Sequence, residues 1–143
     1  MLIQTLAPLL LAFQPAPDAE PPNPDWNCDD PQFQQEMNWC SARDYARADA
    51  ELNAQWAITS ARMKERDAGW DESVADEWDK RPGWHASLLE AQRAWITFRD
   101  AHCRVDGYTA RGGTLEPLLV SSCKTALTKA RTQQLRALAE GPY

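Results

Sequence analysis

The feature that most constrains the fold is a long stretch of chain, between Pro31 and Arg66, that contains neither glycine nor proline. Because these two residues most often end helices, a stretch of this length favours one long helix. Asp29-Asp30-Pro31 is typical of a helix start, with proline in the first turn and carboxylates near the positive end of the helix dipole. Large side chains recur at spacings that fit one helical face: Trp39, Tyr45, Leu52, Trp56 and Met63. The sequence therefore predicts a helix over residues 31–66.

Two further helices are predicted, over residues 84–104 and from near Leu115 onwards, where Glu116-Pro117 fits an N-terminal turn. The inward stripe of the second would be Leu88, Ala91, Gln92, Trp95 and Arg99. The apolar face of the third would be Leu119, Cys123, Ala126, Leu127, Ala130 and Leu138. No segment alternates apolar and polar residues between turn signals, so no strand is predicted. The expected fold is all-α, an antiparallel bundle of three or four helices over residues 28–140, with an optional helical turn at 71–79.

Tryptophan is unusually frequent, with seven in 143 residues. Because each indole buries a large area, a few of them are enough to build a core. We therefore expect tryptophan to dominate the interior, with Trp95 as the anchor beneath Leu52 and Trp56.

The N-terminus favours export. Residues 1–13 are uncharged and mostly apolar, and the chain then becomes polar and rich in proline. We interpret residues 1–19 as a signal peptide with an unfixed cleavage site, and residues 20–27 as an extended linker. The alternative is an apolar terminus on a cytosolic protein, since no lysine or arginine follows Met1 and Pro8 breaks the apolar run. No other segment is apolar enough to span a bilayer.

Four cysteines form an even set, which in a short exported chain is typical of two disulfides. The alternative, a zinc site, lacks any CxxC pair. Of the three possible connectivities we predict Cys28–Cys40 and Cys103–Cys123, since each closes a short loop; the sequence alone leaves the other two open. Cys28 follows Asp25-Trp26-Asn27 instead of the small apolar residues of a lipobox, so we expect a released protein without a lipid anchor.

The net charge of the chain indicates which classes of partner it favours. A net charge of −6 disfavours nucleic acid and anionic lipid, and leaves a basic protein as the electrostatic complement. The imbalance is concentrated in residues 18–79, which hold 16 acidic and 5 basic groups. Most of these charges are expected to form helix–helix ion pairs, whereas the acidic connection at 67–79 is a candidate to meet the basic partner.

Signals for catalysis are weak, and neither a cofactor nor a metal is predicted. A small hydrolase would have to use His85 or His102, both of which are expected near helix ends. Gly112-Gly113 precedes a helix and could bind an anion through backbone amides, although turn geometry explains the two glycines better.

Three sets of residues occur in an order and spacing that identify a family. They are Gln34-Gln35-Glu36-Met37-Asn38-Trp39-Cys40 with Tyr45 and Ala48-Asp49-x-Glu51-Leu52-Asn53; Leu89-x-Ala91-Gln92-Arg93-Ala94-Trp95-Ile96-x-Phe98-Arg99-Asp100-Ala101-x-Cys103; and Gly112-Gly113-Thr114-x-x-Pro117 with Cys123 and Thr128-x-x-Arg131-x-x-x-Leu135. Across residues 28–138 the chain resembles the lysozyme inhibitor LprI-like family of small exported bacterial proteins. The resemblance implies a helical, disulfide-bonded domain of the envelope or the medium, and its members' local cysteine pairs support our pairing.

The role of the motif residues has two possible interpretations. If the first two helices are antiparallel, Asp49 and Arg99 would form a partly buried ion pair. Asn53 and Gln92 would be its hydrogen-bonding neighbours, and Arg131 would join the same cluster. We interpret this motif, which also includes Leu52, Arg93, Trp95 and Asp100, as one that specifies packing and register. The alternative is a polar recognition surface presented by rigid helices.

The resemblance implies a periplasmic or secreted, non-enzymatic inhibitor of lysozyme or a related cell-wall hydrolase. The alternative is an envelope interaction protein with no hydrolase target. Because lysozymes are often basic, an acidic inhibitor would be steered towards them. The candidate partner-binding residues lie in two connecting segments: Trp70, Asp76 and Trp78 in the acidic connection, and Tyr108 and Arg111 in the loop at 105–117.

Overall fold

The computed structural model describes residues 26–70 and 79–141. These residues form three α-helices: α1 (Gln34–Gly69), α2 (Trp84–Gly107) and α3 (Glu116–Glu140), with a short 3-10 turn at Tyr108–Ala110. The all-α fold is confirmed. Each helix lies within a few residues of its predicted position, although α1 begins after Pro31 and α2 continues to Gly107. The signal peptide, most of the linker, and residues 71–78 of the acidic connection lie outside the described part.

The direction of the helices follows from the contacts between them. Asp49 at the middle of α1 meets Arg99, and Ser60 farther along meets His85, so α1 and α2 are antiparallel. Asn38 donates to the carbonyl of Thr114 near the start of α3. At the other end Arg66 donates to the carbonyl of Gly141 at 3.2 Å, so α1 and α3 are parallel. The bundle therefore runs up, down and up. Among the described helices, none is long and apolar enough to cross a membrane.

Both predicted disulfides are present. Cys28–Cys40 ties the segment before α1 to its first turns, with the Cα atoms 5.6 Å apart. Cys103–Cys123 joins the last turns of α2 to α3, with the Cα atoms 5.5 Å apart. Both bonds therefore lie at the same end of the bundle.

Carboxylates fix the starts of α1 and α2. Glu36, which is buried, accepts hydrogen bonds from the backbone N–H groups of Gln32 at 2.7 Å and Asn27 at 2.6 Å. The bond from Gln32 is the main reason why the pKa of Glu36 lies below its usual value, against the opposing effect of burial. Asp67 of α1 similarly accepts from the backbone N–H groups of Trp84 and His85, which are otherwise unpartnered at the start of a helix.

Tryptophan does not dominate the core, and that prediction is wrong. The buried cluster consists of Leu52, Met63, Leu88 and Leu135, and Trp56 and Trp95 pack against it only partly buried. None of the six tryptophans in the described residues is fully buried. The physical reason is the close packing of α1 and α3, since an interface that buries Ala48 and Thr59 leaves no room for an indole.

The predicted face of α3 is also wrong in part. Leu138 is 41 % exposed, and Ala126 and Ala130 are exposed, whereas the buried stripe is Thr128, Thr132 and Leu135. Threonine can occupy a helix interface because its hydroxyl bonds to the carbonyl one turn earlier, as Thr132 does to Thr128 at 3.0 Å. A face chosen on apolar residues alone therefore missed the threonines.

Two buried threonines at the α1–α3 interface differ in one respect, which allows a matched prediction. The hydroxyl of Thr59 lies 2.9 Å from the carbonyl oxygen of Leu135, across the interface. The hydroxyl of Thr128 is equally buried but has no hydrogen-bond partner among the described residues. Replacement by valine keeps the shape of either side chain. We expect Thr59→Val to lower the free energy of unfolding by about 1–2 kcal/mol and Thr128→Val to leave it unchanged or raise it.

Urea unfolding followed by circular dichroism measures both variants under the same conditions. Equal losses of stability in the two variants would contradict this account of the interface.

Candidate functional site

Arg99 is the centre of a polar cluster where the three helices meet. Its side chain is 8 % exposed, and its Nη1 lies 3.5 Å from Oδ1 of Asp49 on α1. Its Nε lies 3.0 Å from Oδ1 of the neighbouring Asp100. The guanidinium also lies over the rings of Tyr45 and Trp95, at 5.4 and 5.1 Å from their centroids. A buried charge requires such partners, because removing it from water is costly.

The cluster continues onto α3 through Arg131. Its Nε donates to Oε1 of Gln92 at 2.9 Å, and its guanidinium lies 6.0 Å from the Trp95 ring centroid. Trp95 therefore contacts two guanidinium groups, from α2 and α3. Burial lowers the pKa of Arg131, which makes no ion pair with a carboxylate in the described ranges.

Asp100 and Tyr45 are two groups of this cluster, besides Arg131, whose pKa values are shifted. Lys124 Nζ of α3 lies 3.3 Å from Oδ1 of Asp100 and 5.5 Å from the Tyr45 ring. Burial raises the pKa of Asp100, but the hydrogen bonds and charges of Arg99 and Lys124 lower it more, so the net pKa is below the usual value. Burial raises the pKa of Tyr45, against the charge of Arg99 and with the help of Asp49. We call this group the arginine cluster; its members are Tyr45, Asp49, Gln92, Trp95, Arg99, Asp100, Lys124 and Arg131.

The structure brings together most of the motif residues. The expected Asp49–Arg99 pair forms, and Asn53 donates to Oδ2 of Asp49 at 3.1 Å. Leu52 lies in the core, and Arg93 is exposed and outside the cluster. Sequence reasoning missed Lys124 altogether, although its place after Cys123 held a signal: a disulfide to α2 brings the start of α3 close to Asp100. These groups hold three helices together by charge and stacking.

The turn between α2 and α3 presents two of the predicted partner-binding residues. The guanidinium of Arg111 lies 4.6 Å from the ring centroid of Tyr108, which is 41 % exposed. Gly112 has a φ of +76°, which favours glycine, and its N–H donates to the side chain of Glu116 at 2.7 Å. The N–H of Gly113 donates to the carbonyl of Ala110. These amides are therefore occupied within the turn, which supports the turn interpretation over anion binding.

The opposite end of the bundle carries an exposed tryptophan pair, Trp70 and Trp84. Their ring centroids are 5.1 Å apart in an edge-to-face arrangement, and they are 49 % and 37 % exposed. The other two candidate residues of this connection, Asp76 and Trp78, lie outside the described residues. Only Trp70 can therefore be placed, at the end of the bundle away from Tyr108 and Arg111.

The histidines do not form a catalytic triad within the described residues. Nε2 of His85 lies 3.0 Å from the hydroxyl of Ser60, but Asp67 accepts from the backbone N–H of His85 and is not bonded to its ring. His102 stacks on the exposed Phe98, with the ring centroids 5.2 Å apart. The described residues also contain no group of three His, Cys, Asp or Glu side chains that could hold a metal ion.

Comparisons with known proteins identify the family. A family profile described as "Lysozyme inhibitor LprI" matches residues 28–135, from the first cysteine to the buried leucine of α3. The chain belongs to the LprI family. It is also 39 % identical to "Uncharacterized protein R02472" of Rhizobium meliloti (strain 1021) over 132 residues, which is 92 % of this chain and 91 % of that protein. No solved structure matches significantly.

The LprI match covers every element that builds the arginine cluster, and it includes all four disulfide cysteines. In this chain the matched range is therefore a disulfide-bonded scaffold in which motif residues join three helices. The Tyr108–Arg111 turn lies inside the matched range, as does the tryptophan pair at the other end.

Proposed function

We propose that this LprI protein is an exported, non-enzymatic inhibitor of lysozyme or of a related cell-wall hydrolase. The observation that carries the proposal is the match of the lysozyme inhibitor family over residues 28–135. Two disulfides in so small a domain support an oxidising compartment, the periplasm or the medium. The apolar N-terminus followed by a proline-rich stretch supports export through a signal peptide.

The Tyr108–Arg111 turn is the surface that we assign to the target. It lies at the end of the bundle that both disulfides hold, so binding would cost little ordering of the backbone. Gly107 fits against Val120 so closely that a side chain there would clash, which further fixes the turn. Arg111 makes no ion pair within the described residues, so its guanidinium is free for a carboxylate of the partner.

The chemistry of a lysozyme cleft suits this turn. Glycoside hydrolases of this kind work through two carboxyl groups in a cleft. An exposed tyrosine carrying an unpaired guanidinium offers an aromatic surface and a charge that such a cleft would bind. The net charge of −6 would also steer the protein towards a basic lysozyme, and this part of the association should weaken with salt.

A lysis assay with purified mature protein against chicken-type and goose-type lysozymes tests the proposal. We expect inhibition of at least one enzyme at micromolar concentration or below. Arg111→Ala should then raise the inhibition constant at least about tenfold, as expected of an anchoring arginine in an interface.

The matched control is Arg62→Ala, which removes an exposed arginine of α1 whose ion pair within the described residues is with Glu65, one turn along the same helix. This variant should inhibit as well as the parent protein. Trp70→Ala tests the other end of the bundle. A loss of inhibition in Trp70→Ala with none in Arg111→Ala would assign the target to the tryptophan pair instead. No inhibition of any enzyme would contradict the proposed function.

A second candidate function, an interaction protein of the envelope with no hydrolase target, is favoured by one observation. Most motif residues lie in the arginine cluster, where they hold the helices together and leave the choice of target to other residues. A pull-down from envelope extract separates the two functions. Recovery of an envelope protein without any muramidase would favour the second.

A further inference from the structure

Helix α2 has a second apolar face besides the one that it buries. Its buried side chains are Leu88, Gln92, Arg99 and Cys103. About a quarter of a turn away, six uncharged residues follow one another along nearly the whole helix: Ser87, Ala91, Ala94, Phe98, Ala101 and Val105. Five of the six are exposed, including Phe98 at 54 % and Val105 at 65 %, and Ala101 is half-buried. An uncharged stripe of this length that exposes two large apolar side chains is a candidate interface.

The spacing of the stripe is that of a coiled coil. Successive members are separated by 4, 3, 4, 3 and 4 residues, which is the heptad pattern of a seam between two helices. Most members are small, so a second helix could approach closely. Because five of its members are exposed, the described helices leave most of the stripe uncovered, and it can contact a helix from outside the bundle.

The stripe is complementary to itself when two copies run antiparallel. With the two-fold axis at the level of Ile96, midway between Ala94 and Phe98, the two large residues meet small ones: Phe98 faces Ala94 of the second copy, and Val105 faces its Ser87. A parallel pair would instead place Phe98 against Phe98. An interface of this kind is isologous, since both copies use the same patch.

The charges flanking the stripe fit an antiparallel pair whose centre lies one residue from that of the stripe. Glu90 and Arg104 lie on one flank, fourteen positions apart, with Thr97 halfway between them. In the antiparallel pair, Glu90 of each copy is offset from Arg104 of the other by only about 3 Å along the helix axis, which these long side chains can span, so two ion pairs can form. Both side chains are exposed, and neither forms an ion pair within the described part of the chain. The charge pattern and the size pattern thus both favour the antiparallel arrangement, with midpoints one residue apart.

From these observations we propose that the protein forms a homodimer in which the α2 helices of two copies pack antiparallel through the stripe of Ser87, Ala91, Ala94, Phe98, Ala101 and Val105. The Tyr108–Arg111 turns would then lie at opposite ends of the paired helices. A dimer of this geometry could engage two targets at once, but its existence does not depend on the proposed function.

Sedimentation equilibrium of the mature protein, from micromolar to millimolar concentration, tests the dimer. We expect reversible dimerisation. Glu90→Arg places like charges at both ends of the seam and should weaken the association about tenfold or more. The charge-swapped double variant Glu90→Arg with Arg104→Glu should restore it. Glu140→Arg, at the exposed end of α3, changes the net charge equally and should leave the association unchanged.

Three results would overturn the proposal. One is a monomer at every concentration; another is a dimer that Glu90→Arg and Glu140→Arg affect equally. The third is a double variant that remains as weak as Glu90→Arg, because this would exclude the antiparallel register. Circular dichroism of each variant confirms that its helix content is retained, so that altered association is not confused with unfolding.

Discussion

Replacement of both Cys103 and Cys123 by alanine is expected to lower the free energy of unfolding by about 3 kcal/mol. The bond closes a loop of 20 residues, and in the chain-entropy model a loop of this size accounts for a loss of about that amount. Cys103 is fully buried, so its truncation also leaves a small cavity. The loss should be large because this bond fixes the turn between α2 and α3 and brings Lys124 to Asp100.

Urea unfolding of the variant and of the parent protein under non-reducing conditions measures this loss. The matched control is the Cys28→Ala, Cys40→Ala variant, which frees only the short segment before α1. We expect the control to be the less destabilised of the two and to keep its α2–α3 contacts. A loss below about 1 kcal/mol for the Cys103–Cys123 variant would contradict the role assigned to this bond.

Arg99→Met is expected to cost about 2–3 kcal/mol. Methionine keeps much of the aliphatic volume, so the loss reports on the charge and its stacking on Tyr45 and Trp95. Breaking a fully buried ion pair typically costs about 3–5 kcal/mol. We place this variant lower because the side chains of Asp49 and Asp100 are 38 % and 44 % exposed, and water can partly replace the guanidinium.

The pH dependence of this loss distinguishes lost charge from lost packing. The net pKa of Asp100 lies below its usual value of 3.8, since burial raises it less than Arg99 and Lys124 lower it. A lowered carboxyl pKa contributes stability that is present above the usual value and disappears as the pH falls through the folded-state value. The difference in free energy of unfolding between the parent protein and Arg99→Met should therefore be largest near neutral pH and should decrease in acid.

Arg93→Met is the control for Arg99→Met, since it removes an exposed arginine from the same helix and the same motif. It should change stability by less than about 0.5 kcal/mol. A large effect of Arg93→Met, or a loss in Arg99→Met that does not vary with pH, would contradict the electrostatic account of the arginine cluster.

The sequence was sufficient to predict the three helices and the segments that separate them. The stretch without glycine or proline predicted α1, and the punctuation at Pro82-Gly83 and Gly112-Gly113 predicted where α2 and α3 begin. Short loops between cysteines favoured the pairing that the structure has. These features are local, and local propensity and loop closure act in the same way whatever the tertiary packing.

The interior could not be predicted in the same way. An indole has the largest area to bury, but several buried positions of α1 and α3 hold the small residues Ala48, Thr59 and Thr128. Where helices approach closely, tryptophan is displaced to the edges of the interface. Threonine then becomes a core residue by bonding to a carbonyl, as Thr59 does to Leu135. A hydropathy scale predicts the burial of tryptophan and threonine wrongly here, because it takes no account of the space between the helices.

One part of the candidate site could be predicted from the sequence, namely the contact that follows from the relative direction of two helices. Antiparallel α1 and α2 place Asp49 beside Arg99, and this pair could be expected from sequence alone. The contact of Lys124 with Asp100 could have been expected from the Cys103–Cys123 bond but was missed. The contact of Arg111 with Tyr108 depends on how the chain leaves α2 and enters α3. No periodic pattern encodes that path, so this contact required the structure.

Amide hydrogen exchange of the mature protein, with and without an inhibited lysozyme, tests the central claim most directly. That claim is a rigid three-helix scaffold that presents the Tyr108–Arg111 turn to its target. It predicts new protection confined to the turn between α2 and α3, with exchange in α1 unchanged. Protection that appears only around Trp70 and Trp84, or no change anywhere in the chain at saturating lysozyme, would contradict it.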